Sequence, residues 1–205
     1  MAVDLQQILA DSKECAGNVW WQAHDEKNFG RARENFLFTE RMIAKYSNNE
    51  IRELNWQTAG DMFVEALKNY DKFTEFLKID VVNINIVDEI KQKFEQFYGA
   101  LGLNPKIATH SANWWIYFAR ARVADKKNDT HWYKEYHTVL VQNLADEHRK
   151  RYALNNDQAE GLASLMLAAM HLGHNTSPKN WEKIGQYMES YYYELFTILA
   201  ERKEK

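Results

Sequence analysis

Apolar residues recur at intervals of three and four along most of this chain, the spacing that places side chains on one face of an α-helix. The clearest such stripe comprises Trp181, Ile184, Met188, Tyr191, Leu195 and Leu199. Ser177 and Pro178 stand directly before the stripe, where a capping side chain and a proline in the first turn favour the start of a helix. The pattern therefore predicts a helix from residue 178 to about residue 200.

The same spacing predicts helices through the rest of the chain, over residues 3–23, 31–46, 48–54, 58–78, 86–101, 111–124, 129–151 and 157–173. In residues 81–87, β-branched side chains alternate with asparagines, but no partner strand is found, so an extended connector or a helix start is expected there. Residues 99–105 are predicted to break the chain between two helices. The sequence thus predicts an all-α protein of about nine helices, with a small N-terminal helical unit on a larger C-terminal bundle.

Composition agrees with a packed helical protein. The chain has 205 residues, is 45% hydrophobic and contains only two prolines and eight glycines, so it can form long helices around a sizeable core. Cys15 is its single cysteine, which rules out an intramolecular disulfide, and no basic stretch precedes an apolar N-terminal segment. No apolar run is long enough to span a bilayer. A cytoplasmic protein without membrane contact is the expectation.

Charge bears on whether the chain binds nucleic acid. The whole chain has a formal net charge of -3, and residues 1–80 contain ten Lys and Arg against fourteen Asp and Glu, a net charge of -4. Contacts between basic side chains and phosphates supply most of the non-specific affinity of proteins for DNA. The acidity of residues 1–80 therefore counts against DNA binding by this part of the chain.

Residues 50–73 nevertheless have the spacing of a helix-turn-helix unit, with a short helix, a turn at residues 55–57 and a second helix. The order of residue types in this second helix resembles that of the TetR family of transcription regulators. The resemblance depends on Thr58, Gly60, Phe63 and residues 69–73. It departs from the family pattern at Asn55 and Trp56, where the family has Ala and Gly.

The C-terminal half is similar to the same family in the order of its helices. The similar stretches are residues 115–118, 133–143, 160–166 and the aromatic last helix. The resemblance covers roughly residues 34–196. It implies three parts: an N-terminal helical extension over residues 1–33, a helix-turn-helix unit over 34–80, and a ligand-binding and dimerisation bundle over 81–205.

The function implied by the resemblance is that of a homodimeric transcription regulator, in which a small ligand in the bundle alters the affinity for double-stranded DNA. The residues on or beside the DNA-reading helix would be Gln57, Thr58, Gly60, Asp61, Lys68 and Lys72. The alternative is an all-helical protein that binds another protein or a small molecule without contacting DNA. In that case residues 48–78 form an ordinary helical hairpin, and the acidity of the N-terminal part favours this interpretation.

Aromatic residues are concentrated on three predicted helices of the bundle, and so many rings can wall a pocket for a flat apolar or aromatic ligand. The candidate ligand-binding residues are Trp115, Phe118, Trp132, Tyr136, His171 and Tyr191. Aromatic stripes at helical spacing also form hydrophobic cores and dimer interfaces, and both alternatives stay open at this stage.

No enzyme or metal-site motif is found in the sequence. A phosphate-binding glycine loop, a nucleophile elbow and the Cys and His spacing of a zinc site are all absent. His131 and Glu135 are four residues apart on one predicted helix face, whereas a helical di-iron site needs a Glu followed by a His three residues later on two helices. We therefore expect no catalytic residues, no metal site and no cofactor.

Overall fold

The computed structural model describes residues 4–18, 28–47, 53–79, 84–126, 130–173 and 178–203. Within these ranges the chain forms eight α-helices and no strand, which confirms the predicted all-α class. The helices are α1 (Leu5–Gly17), α2 (Phe29–Ser47), α3 (Glu53–Lys78), α4 (Ile84–Ala100), α5 (Pro105–Lys126), α6 (Thr130–Tyr152), α7 (Asn156–Gly173) and α8 (Pro178–Lys203). None of the helices described combines the length and the apolar content needed to cross a membrane.

Most helices follow the predicted pattern closely. α8 ends at Lys203, three residues beyond its predicted end. α4 begins at Ile84, so the second half of the 81–87 run is the start of a helix. α1 ends at Gly17, and the rest of the predicted 3–23 helix, from residue 19 onward, lies outside the described residues.

The start of α5 lies six residues before the predicted start at residue 111. The side-chain oxygen of Asn104 accepts a hydrogen bond from the backbone N–H of Ile107 at 3.0 Å, and Pro105 occupies the first helical position. Both features favour a helix N-terminus. Before them, Gly102 adopts a φ of +82°, which glycine accommodates without a steric penalty and which turns the chain from α4 toward α5.

The predicted turn at residues 55–57 is wrong. These residues belong to α3, a continuous helix of 26 residues from Glu53 to Lys78. No glycine or proline occurs at residues 55–57 to favour a turn, and Trp56 is buried within the helical packing. Residues 48–52, which form most of the predicted first helix of the unit, lie outside the described residues.

The chain divides into two compact units. Unit 1 consists of residues Met1–Glu53 and Glu160–Lys205, and in it α1 packs along α8 while α2 contacts both. Unit 2 consists of residues Leu54–Ala159, and in it α5 packs against α4 and α6. The predicted division into an N-terminal helical extension (1–33), a helix-turn-helix unit (34–80) and a ligand-binding and dimerisation bundle (81–205) stays a prediction.

Candidate functional site

Trp115 lies at the centre of unit 2. Its ring stacks on Phe94 with centroids 4.4 Å apart and planes within 9°, and it meets the ring of Tyr70 edge-on at 5.4 Å. Its indole Nε1 donates a hydrogen bond to the hydroxyl of Tyr98 at 2.8 Å. Because the side chain has no exposed surface, Trp115 is a core residue whose ring is covered by other rings.

The other predicted ligand-binding residues are distributed over both units. Phe118 is buried in unit 2, where it stacks on Trp114 with centroids 5.2 Å apart. Tyr191 is buried in unit 1, with its ring centroid 5.0 Å from that of Tyr192. Trp132, Tyr136 and His171 belong to α6 and α7, but their side chains fall outside the described part of the structure. The described members of the set are tightly packed, and ligand binding by the set stays a prediction.

A buried carboxylate joins α5 to α6 in unit 2. Glu147 Oε1 accepts a hydrogen bond from the hydroxyl of Ser111 at 3.0 Å, and Oε2 lies 3.0 Å from His148 Nδ1. Arg151 approaches the same carboxylate at 3.5 Å. Burial opposes the charged form, but the interactions with His148, Arg151 and Ser111 outweigh it and lower the pKa of Glu147 to about 2. The carboxylate is therefore ionised at neutral pH and engaged on both oxygens.

Ser111, Glu147 and His148 are residue types found in hydrolase triads, but their arrangement is different. In a triad, the histidine lies between the hydroxyl and the carboxylate and removes the hydroxyl proton. Here the carboxylate lies between the other two, and His148 Nδ1 is 2.7 Å from the backbone carbonyl oxygen of Leu144. The three side chains stabilise the packing of α5 on α6 and do not form an activated nucleophile.

A second buried carboxylate, Asp11, joins α1 to α2 in unit 1. It accepts hydrogen bonds from Lys45 Nζ at 2.6 Å, from the Tyr46 hydroxyl at 2.7 Å and from Gln7 Nε2 at 2.8 Å. Burial alone would raise the pKa of Asp11, but these three hydrogen bonds lower it below its ordinary value. Tyr46 also stacks on Phe196 of α8 with centroids 4.7 Å apart, so these contacts link three helices.

Cys15 is buried between the helices of unit 1 and is unsuited to reaction chemistry. Burial raises the pKa of its thiol to about 12, so the thiol is protonated at neutral pH. A protonated, buried thiol is a poor nucleophile and a poor metal ligand. Within the described ranges, no group of three or more His, Cys, Asp or Glu side chains is placed to hold a metal ion.

The predicted DNA-binding residues all lie on α3. Gly60 is buried, and the others are exposed: Gln57, Thr58, Asp61, Lys68 and Lys72. Acidic side chains share the exposed face with the lysines, because Asp61 and Glu65 precede Lys68 and Lys72 at helical spacing. Glu65 also forms an ion pair of 2.5 Å with Lys93 of α4. A mixed-charge face of this kind is typical of a solvated helix surface.

A groove runs along the surface of unit 1 between α1 and α8, which are antiparallel. One end encloses about 440 Å³ and is lined by Leu5, Gln6, Leu9, Glu189, Ser190 and Tyr193. The other end encloses about 340 Å³, and its lining includes Lys13, Ala16, Trp181, Glu182, Gln186 and Glu189. Glu189 lines both depressions, and we call the two together the α1–α8 groove.

Two leucines of the α1–α8 groove are exposed to solvent. Leu5 is 51% and Leu9 is 38% exposed, and they lie four residues apart on the same side of α1. Leu5 and Leu9 lie on the same stripe of α1 as the buried residues Ser12 and Ala16, so the two leucines are the exposed end of a single apolar face. A single exposed leucine is ordinary, but two leucines in one groove form a contiguous apolar surface. Because Leu5 and Leu9 continue the stripe that is buried at Ser12 and Ala16, the sequence alone does not indicate that they are exposed.

The chain was also compared with known proteins. No family model matches it, and no curated protein or solved structure matches it either. The resemblance to TetR regulators stays a prediction that depends on the residues quoted above.

Proposed function

We propose that this chain is a protein-interaction protein that does not contact DNA, and that its α1–α8 groove binds a helix of a partner protein. The observation that carries the proposal is the exposure of Leu5 and Leu9 in a groove between two packed helices. Amphipathic helices bind such grooves by inserting apolar residues that are three, four and seven positions apart. Burial of the two leucines by a partner removes apolar surface from water and so favours binding.

The dimensions of the groove suit a helix. It extends along α1 from Leu5 to Gly17, which corresponds to about 18 Å at the rise of an α-helix. A partner helix of three to four turns has about the same length. When laid over α1 and α8, it would cover the exposed side of both helices and complete a layer of helical packing.

The geometry supports the regulator hypothesis less well. A helix-turn-helix unit presents its second helix to DNA after a turn, whereas residues 55–57 continue α3 as a helix. The exposed face of α3 also carries carboxylates beside the lysines that would contact phosphates. The interaction hypothesis requires neither a turn nor a basic surface in this region.

DNA binding can be tested directly by fluorescence anisotropy. Labelled fragments from the upstream region of the gene would be titrated with the full chain at two salt concentrations. The proposal predicts no salt-sensitive, fragment-specific binding. Tight binding that is lost when Lys68→Ala and Lys72→Ala are combined would instead support the regulator hypothesis.

Helix binding in the groove can be tested by site-specific photo-crosslinking in the cells that produce the protein. A photoreactive amino acid would replace Leu9, and a control variant would carry it in place of Lys134, an exposed residue of α6. The expected result is a crosslink at position 9, but not at position 134, to a segment of another protein that mass spectrometry identifies as an amphipathic helix. Crosslinks only to a second copy of this chain, or equal crosslinks at both positions, would contradict the proposal.

A further inference from the structure

We propose that the helix bound by the α1–α8 groove is basic, with two Lys or Arg residues seven positions apart that pair with Glu182 and Glu189. This inference rests on the proposed function and specifies the chemistry of the partner. It follows from the charges on the two walls of the groove and from the periodicity of an α-helix.

The α8 wall of the groove carries its two carboxylates on one face. Glu182, Gln186, Glu189 and Tyr193 follow one another at intervals of four, three and four residues. Side chains at these intervals lie on the same side of a helix. Glu182 and Glu189 are therefore separated by two turns, a distance of about 10.5 Å along the helix axis. Neither carboxylate forms an ion pair with another described residue.

The α1 wall carries two leucines followed by one lysine. Leu5, Leu9 and Lys13 follow one another at intervals of four residues. Lys13 is the one basic side chain in the described lining of the groove, against the two carboxylates of Glu182 and Glu189. The α1 wall is thus apolar in its first half, and the α8 wall carries two carboxylates beside the aromatic residues Trp181 and Tyr193.

A helix that fits both walls must itself have two distinct sides. Residues seven positions apart in an α-helix lie on nearly the same side and are about 10.5 Å apart, which matches the separation of Glu182 and Glu189. Basic residues at these positions would meet the α8 wall. Apolar residues on the adjacent side would contact Leu5, Leu9 and Tyr193. A helix with acidic residues at the same positions would bring like charges together and bind more weakly.

Three synthetic helical peptides can test the inference by fluorescence anisotropy with the full chain. The first carries an apolar stripe with two lysines seven positions apart on its flank. The second has the same composition with these lysines moved to the opposite face, and the third has glutamates in place of the lysines. Because exposed ion pairs each contribute about 0.2 to 1 kcal/mol, the first peptide is expected to bind roughly tenfold more tightly than the second. The third is expected to bind most weakly.

Variants of the protein provide the matched controls. Combining Glu182→Gln with Glu189→Gln should abolish the preference, so that the first and second peptides bind with the same affinity. Combining Glu182→Lys with Glu189→Lys should reverse the preference in favour of the third peptide. Circular dichroism would verify that both double variants keep the helical fold.

The peptide measurements test whether the bound helix is basic, whereas the crosslinks at position 9 test whether the groove binds a helix at all. Equal affinity for the three peptides, or binding to none of them, would overturn the basic-helix inference. The crosslinks at position 9 then show independently whether the groove binds a helix of any kind. A crosslinked partner helix without a basic pair seven positions apart would likewise contradict the inference while supporting the proposed function.

Discussion

The two compact units differ in how completely they cover their large apolar side chains. In unit 2, Trp115 and its neighbouring rings are enclosed, and Ile79 at the end of α3 is the one large apolar side chain that is exposed among the described residues. Among its described residues, unit 1 exposes three such side chains: Leu5, Leu9 and Tyr187. Exposed apolar side chains beside a groove between two helices favour the binding of another helix.

The two units resemble each other more closely in their buried polar interactions than in their exposed apolar side chains. Glu147 in unit 2 and Asp11 in unit 1 are both buried carboxylates with lowered pKa values, and each joins two helices through hydrogen bonds. Unit 1 is therefore held together internally in much the same way as unit 2. Its exposed leucines are features of a packed unit, which points to binding rather than to incomplete folding.

Replacement of Trp115 should have the largest effect on stability, because it removes the centre of the enclosed core. We expect Trp115→Ala to lower the free energy of unfolding by about 3 to 5 kcal/mol, measured by urea denaturation with far-UV circular dichroism. Trp115→Phe keeps a ring against Phe94 and should cost less, although it loses the hydrogen bond to Tyr98. A loss under 1 kcal/mol for Trp115→Ala would contradict the description of unit 2 as a closed core.

Acid should weaken unit 2 through Glu147. Its folded pKa of about 2 lies below its ordinary value of 4.5, so the stabilisation is fully present above pH 4.5 and is lost as the pH falls toward 2. The shift corresponds to about 3 kcal/mol. Urea denaturation at a series of pH values should show this loss in the wild type but not in Glu147→Gln. The same acid dependence in both proteins would show that Glu147 is not the group responsible.

Loss of the Asp11 carboxylate should weaken unit 1 by a smaller amount. Asp11→Asn removes the charged acceptor of the hydrogen bonds from Lys45 and Tyr46, and we expect a loss of about 1 to 3 kcal/mol. Because Cys15 lies on the same helix, looser packing of α1 should also speed the reaction of its thiol with a disulfide reagent. An unchanged labelling rate would argue that Asp11 does not hold α1 in place.

Changes in the groove should have the smallest effect on stability. We expect Leu9→Ser to lower the free energy of unfolding by only about 1 kcal/mol, since the side chain is 38% exposed and so contributes less buried apolar surface than a core leucine. The same change should abolish the binding of the basic peptide. Asp61→Ser, at an exposed position of α3, serves as the control and should affect neither quantity. A large loss of stability in Leu9→Ser would mean that Leu9 belongs to the core and not to a binding surface.

The sequence predicted the helices well where periodicity and capping residues agreed. α8 has both an apolar stripe and the Ser177 and Pro178 start signals, and its predicted start is confirmed. At α5, the same kind of signal, Asn104 followed by Pro105, was interpreted as a break, and the predicted start was six residues late. In α3, the turn was predicted from the helix-turn-helix spacing of residues 50–73, but residues 55–57 contain no glycine or proline to favour a turn, and the helix is continuous.

The candidate site was harder to predict because it depends on contacts between distant segments. Periodicity identifies which face of a helix is apolar, but not which helix covers it. Ser111 and Glu147 are 36 residues apart, and nothing in the local sequence indicates that they meet. In the same way, the spacing of Leu5 and Leu9 is visible in the sequence, but their exposure depends on how α8 packs against α1.

The most direct test of the central claim compares photo-crosslinks from the two candidate surfaces in living cells. One variant would carry the photoreactive amino acid in place of Leu9 in the α1–α8 groove, and the other in place of Asp61 on α3. The account predicts a crosslink from position 9 to a helix of another protein and no crosslink from position 61 to DNA. Crosslinks to DNA from position 61, with none to a foreign protein from position 9, would contradict it.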